Sequence, residues 1–509
     1  SREQRAESRE QRAEGRERSS KNSCTNSLCR LRSYPMSGGW TDGSEGDAAA
    51  AALRTALAAA AGGSLLALLA LRRRPAEPEV GGRRRRVRRS HPLDATESSF
   101  YLLDIPPVTT LTWFDGCHVA ARGVLEGRMR LILQKNPWLR GGIEAGWTGS
   151  CSLVYHEEES EGDDPTADGA EAPDDIGRYV TLLEGIAVSS GSSPREQNAA
   201  LLTSPAYSSG VYIGNGPGRP LLRATVVPCA SDPGGRFGLV VQMSHVIGDG
   251  ATYYGLMGML CGRDEGDATP LDPERVPGLG RKQADAMGRD EAAYFSSFGS
   301  TLRIMAGTAL NRLRGPMDFD YALLDPAKIG EAKAAAMEEE RRLHGDGCVP
   351  YVSTNDVLTS WLLTSSTSDV GLMAVNWRGR LDGVTRRHAG NYEGLVYYNP
   401  SDCSAPGLIR RSLMGPPYRR AGPASSPLPP WWRTASSTAS VVTNWTSFAA
   451  ANRIEGCVEV SHLPLILPDL VPCHRLRMFV VYRAGEGRVG LCYPPGALKD
   501  GALDRFVLR

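Results

Sequence analysis

The chain has 509 residues, 41% hydrophobic and 23% charged, with a formal net charge of +1, which excludes collagen-like and wholly disordered classes and leaves room for two globular domains. Residues 1–90 carry 19 Lys and Arg against 10 Asp and Glu, and the remainder 39 against 47; a mildly acidic body indicates no nucleic-acid partner. Eleven cysteines without C-x-x-C spacing favour reduced thiols over a disulfide framework.

The first element is a charged tail. SREQRAE occurs twice in residues 1–14, which reads either as a disordered tail or as translated leader sequence, with Met36 as the start. Thr55–Leu71 is an uncharged Ala/Leu run of 17 residues, at the lower limit of about 17–25 for a membrane span. Arg72–Arg74 follows it, and a second basic block covers Arg83–Arg89. Basic residues on that flank would hold the body on the cytosolic side. The expectation is a cytosol-facing chain with membrane association through 55–71; the alternatives are a soluble cytoplasmic or an organelle-targeted chain, the latter disfavoured by acidic Asp42, Glu45 and Asp47.

The body begins near His91. Short β-like runs at Leu221–Val227, Phe237–Met243, Gly371–Asn376, Arg475–Tyr482 and Val489–Tyr493 alternate with helical stretches, of which Ala327–Leu343 is the clearest. That mixture predicts α/β layers and neither a bundle nor an all-β sandwich. Glu157–Asp175 is too acidic to pack and reads as a solvated loop. Ser401–Ser440, rich in Pro, Ser and Arg, is expected on the surface, with Trp431 and Trp432 docked onto the body or marking a partner site. Cys457, His462, Cys473 and His474 match no zinc spacing, so no metal site is assigned.

Ser244-His245-Val246-Ile247-Gly248-Asp249-Gly250 joins the apolar run Phe237–Met243 to the amphipathic segment Ala251–Leu260. A strand-to-helix turn is a common place to hold a reactive side chain, and His moves protons near neutral pH. Asp249 can pair with a cation and fix the turn, and Gly250 lets the chain turn where a Cβ would clash.

These residues form the H-x-x-x-D-G pattern and resemble the coenzyme A-dependent acyltransferases related to chloramphenicol acetyltransferase and the BAHD enzymes. Leu131–Arg140 (LILQKNPWLR), Val352–Leu363 (VSTNDVLTSWLL), Met373–Leu381 (MAVNWRGRL), 390–394 (GNYEG) and Val442–Phe448 (VTNWTSF) are similar to further segments of that superfamily, in the same order. Together they span about residues 92–509. The D-F-G-W-G motif is missing, which marks the chain as divergent, and Ser244 stands where condensation domains carry a first histidine.

The resemblance implies two similar α/β domains with mixed sheets flanked by helices, set at 91–310 and 311–509 after a tail at 1–90, with an active-site tunnel between them. It implies an O- or N-acyltransferase that acts on a small-molecule or lipid-like acceptor, as a monomer, with acyl-CoA as co-substrate and no permanently bound cofactor. His245 would be the general base, and Asp249 structural, tied to Arg378 or Arg380. Trp445 would lie near the developing oxyanion with its indole N–H as donor, and Thr443 and Asn444 beside the pantetheine arm or acceptor. The alternative is a catalytically degenerate member that binds acyl-CoA or a partner. Catalysis requires His245 to face a tunnel and an arginine to reach Asp249.

Overall fold

Apolar runs become the central strands. β7 (Asp232–Met243) is exposed at its start and buried from Phe237 onward, and its flanking neighbours β2 (Val108–Asp115) and β6 (Leu222–Cys229) are nearly as buried. Such strands are covered on both faces, so no polar face alternates with the apolar one. The computed structural model describes residues 86–102, 104–146, 149–158, 175–207, 219–262, 268–295, 302, 318–421, 428–449, 451–466 and 475–508. All belong to the compact unit Ala49–Arg509; no residue of the other unit, Ser1–Ala48, is described.

A five-stranded sheet runs in the order β12 (Val458–Pro464), β2, β7, β6, β5 (Val180–Leu182). It is antiparallel except for the parallel pair β5–β6. A six-stranded sheet runs β10 (Glu393–Tyr398), β9 (Val370–Asn376), β11 (Ala439–Asn444), β13 (Leu476–Gly485), β14 (Arg488–Tyr493), β8 (Asp320–Leu324), with β9–β11 and β11–β13 parallel. A small antiparallel sheet joins β1 (Arg86–Pro92), β4 (Cys151–Glu158) and β3 (Gly142–Ala145). The expected mixed sheets flanked by helices are therefore present.

Alternation along the strands feeds two cores. Leu239 and Val241 join Leu125, Met129, Leu256 and Met257 from the helices His118–Lys135 and Gly250–Leu260. Val240 on the opposite face joins Leu111 and Trp113 and meets Val480, Tyr482 and Cys492 of the six-stranded sheet. A third core packs the helices Pro326–His344 and Thr354–Ser365 against the far side of that sheet, through Ile329, Leu358, Trp361 and Phe479. Each such large apolar side chain stabilises by about 1.5–3 kcal/mol on full burial. Ser353 caps the helix Thr354–Ser365 in a reciprocal box with Asp356, and Asp325 caps Pro326–His344, whose Pro occupies the first turn.

Three differences from the sequence reading follow. Arg86–Arg89 of the second basic block, expected within the tail at 1–90, enter the fold in β1, which pairs along its length with β4. The Ser401–Ser440 stretch is not all surface: Pro406–Arg411 is a helix, and Arg410 is buried because Asp356 pairs with it at 2.6 Å. The anchored placement is corrected: no helix of the described residues is long and apolar enough to cross a membrane, and 55–71 itself lies outside the described residues. Residues 159–174 of the acidic loop, Cys473, His474 and the side chains of Trp431 and Trp432 also lie outside them.

Candidate active site

β7 delivers the motif at its buried end. The Ser244 N–H donates to Leu221 O at 2.9 Å, the chain turns, and the helix Gly250–Leu260 begins with Asp249 as its N-cap. The tight approach is at Gly248, where a Cβ would lie 2.7 Å from Thr252 Cβ. The clash expected at Gly250 is not found: a Cβ there would make an ordinary contact, 3.5 Å from Trp445 Nε1.

Asp249 is buried, and both of its oxygens are engaged. Oδ1 accepts from Thr252 N at 3.0 Å and Thr252 Oγ1 at 3.2 Å; Oδ2 accepts from Arg378 Nη1 at 2.7 Å and Tyr392 N at 3.0 Å. Of the two candidate arginines, Arg378 is the partner. Its Nε donates to His388 O at 3.0 Å and its Nη2 to Gly390 O at 2.9 Å, with the guanidinium over the Tyr392 ring. Arg380 turns away, donating to Leu413 O at 3.1 Å beside the Tyr418 ring. A carboxylate so saturated holds a turn and has no lone pair to spare for proton relay.

His245 is half-buried, with its Nδ1 3.2 Å from Asn391 Oδ1 and the Phe100 ring edge-on at 5.0 Å. The amide orientation follows from its neighbours: Asn391 Nδ2 donates to His245 O at 2.8 Å and lies 3.4 Å from Glu97 Oε1. The amide oxygen therefore faces the ring, Nδ1 carries the proton, and Nε2 keeps its lone pair. Behind the amide, buried Glu97 accepts from Asn391 N at 3.0 Å and from Arg275 Nε at 2.8 Å. Next to Glu97, burial and that carboxylate's charge push the Asp94 carboxyl up to about 6.

Trp445 does not offer its indole N–H freely, because Nε1 donates to Thr443 Oγ1 at 3.1 Å. The Thr443 hydroxyl thereby keeps its own hydrogen to give. The Asn444 side chain is spent internally: Nδ2 donates to Asn355 Oδ1 at 3.1 Å, and Oδ1 accepts from Thr446 Oγ1 at 2.7 Å. Two adjoining cavities open here. The larger, about 440 Å³, is walled by Thr252, Arg378, Arg386 and His388 among others. The smaller, about 40 Å³, is walled by Asp249, Gly250, Glu393, Thr443, Asn444 and Trp445, and both share Ala251, Asn376 and Phe448. His245 itself is on the wall of neither.

Sequence reasoning missed Glu97, Arg275, the contacts of Asn391 and the place of Glu393 on the cavity wall. Asn391 and Glu393 sit in the quoted GNYEG segment, and Asp94-x-x-Glu97 carries the signature of a helix start; neither signal shows a contact to a histidine 146 residues away. Among the described residues no group of His, Cys, Asp and Glu is arranged to hold a metal ion. His462 instead lies between Thr112 Oγ1 at 2.8 Å and Tyr254 OH at 3.0 Å.

No protein-family model matches the chain, and no curated protein matches it. Solved structures are similar in fold. TRI101 of F. graminearum complexed with ethyl coenzyme A shares 14% identity at a TM-score of 0.49, covering 82% of this chain and 97% of that one. Polyketide synthase associated protein 5 from Mycobacterium tuberculosis shares 15% at 0.46, covering 82% and 96%. The first condensation domain of the CDA synthetase shares 15% at 0.44, covering 82% and 93%. The chain is an α/β protein of mixed sheets flanked by helices.

Proposed function

We propose that the chain transfers an acyl group from acyl-CoA to a hydroxyl or amine acceptor, with His245 as general base. The observation that carries this reading is the fixed tautomer of His245, whose Nδ1–H is held by Asn391 while Nε2 stays basic. Nε2 takes the acceptor's proton as its oxygen or nitrogen attacks the thioester carbonyl. The Thr443 hydroxyl, polarised by the Trp445 N–H, donates to the oxyanion. The tetrahedral intermediate then expels the thiolate, which takes the proton back from the imidazolium, so ester or amide and free thiol leave without a permanent cofactor.

The larger cavity suits the CoA phosphates, because Arg386 and His388 line it beside Arg378. We place the two domains around the two large sheets, at about 91–310 and 311–509, with β12 crossing from the second to the first sheet.

A second reading, a module that binds acyl-CoA without turnover, is favoured by one observation: His245 lines neither cavity. Fold alone does not decide between them. Thiol release from acetyl-CoA and a long-chain acyl-CoA, against a panel of alcohols and amines, separates the two. Acyl transfer predicts acceptor-dependent release that falls by about 10²–10⁴ in His245→Ala. Acyl-CoA binding in a calorimeter with no release from any pair supports the binding module.

A further inference from the structure

Glu393 opens β10, its Cα opposite Asn376 of β9, and it lines the smaller cavity. Among the described residues none donates a hydrogen bond to its carboxylate. The other acid on that wall, Asp249, is paired with Arg378 at 2.7 Å. The wall of this space thus carries two carboxyl groups against the single guanidinium of Arg378, while the adjoining cavity is lined by Arg378, Arg386 and His388. Neighbouring spaces of opposite sign sort ligands by charge. A polyanionic cosubstrate is drawn to the basic space and repelled from Glu393.

We propose that Glu393 is the acceptor-recognition group of this site, and that the acceptor carries a protonated amino group beside the hydroxyl or amine that is acylated. An ammonium nitrogen has no lone pair, so the recognised nitrogen is not the attacking atom, and the acceptor class is a diamine or an amino alcohol. Burial and the charge of Asp249 raise the Glu393 carboxyl from its ordinary value, while Arg378 pulls it down. A paired cation favours the ionised form, so recognition strengthens as pH rises through this titration and fades as pH falls. The chemistry rests on the acyl-transfer reading; the recognition does not.

The test is calorimetric titration of the full chain, saturated with CoA, with 1,5-diaminopentane and 1,5-pentanediol, in the wild type, Glu393→Gln and Glu393→Asp. A charge-assisted contact predicts about ten- to a hundredfold tighter binding of the diamine. That preference should vanish in Glu393→Gln and persist in part in Glu393→Asp, with unchanged thermal midpoints. Equal binding of diamine and diol to the wild type overturns the proposal, as does a preference that survives Glu393→Gln. Thiol release from acetyl-CoA with 5-aminopentan-1-ol, run alongside, keeps the two readings apart: diamine preference without release upholds the cation site and removes the transferase.

Discussion

The Asn391 amide decides which nitrogen of His245 can act as base, and Glu97 with Arg275 decides how that amide points. Asn391 touches no reacting atom, so it is a positioning residue. Asn391→Ala frees the imidazole to rotate and to exchange tautomers. A misplacement of this order costs about 10² in rate, and the loss should appear in kcat with the KM for acyl-CoA little changed, measured by steady-state thiol release. A rise in KM at unchanged kcat would assign Asn391 to substrate binding instead. At this scale the strand-to-helix turn that carries His245 and Asp249 was legible, because it forms within a few consecutive residues. The sequence left Arg378 and Arg380 unresolved, because two residues of chain beyond β9 send one guanidinium to Asp249 and the other to Leu413 O. It credited the Trp445 N–H to the oxyanion, where the structure shows that hydrogen bonded to Thr443.

Strands that are continuous apolar runs were legible: the predicted Phe237–Met243, Gly371–Asn376 and Val489–Tyr493 fall inside β7, β9 and β14. β2 was not, because Thr109, Thr110 and Thr112 interrupt its apolar pattern; Thr109 donates to Pro107 O two residues back, and Thr110 and Thr112 are buried against Tyr253 OH and His462 Nδ1 of distant segments. β12 was not, because its partner β2 lies hundreds of residues earlier and pairing at that range leaves no local periodicity. β12 also carries a titration consequence. Burial, with the charge of Arg483 adding, pulls the His462 imidazole down to about 3. The unfolded chain takes up that proton near pH 6.5 and the folded one does not. Stability from this group is therefore full above about pH 6.5 and falls as pH drops toward 3, by at most about 1.4 kcal/mol per pH unit. Urea midpoints at pH 7 and pH 5 should separate less in His462→Gln than in the wild type; an identical separation would mean that His462 is protonated in the fold.

Across the described residues, the core that holds Trp113, Val240, Val480 and Tyr482 binds the two large sheets together, and the site lies where chain segments from both halves converge. The Asp249–Arg378 pair is the charged tie at that convergence, buried on both sides. Removing one partner leaves the other charge buried without compensation, at a cost of about 3–5 kcal/mol. Arg378→Met should lower urea stability by that amount, and Asp249→Asn combined with Arg378→Met should recover part of it; a single variant as stable as the wild type would show that the tie is not needed. Fold class was legible because the alternation of helical and strand-like runs fixes layers. The convergence of Glu97, His245, Asn391 and Glu393 was not, since only tertiary packing brings them together. The most direct measurement is thiol release from acyl-CoA by the full chain over an acceptor panel that includes amino alcohols, with His245→Ala in parallel. Acceptor-dependent release that falls by about 10²–10⁴ in the variant is the predicted result; release that is equal in the two proteins, or absent in both, would contradict catalysis by His245.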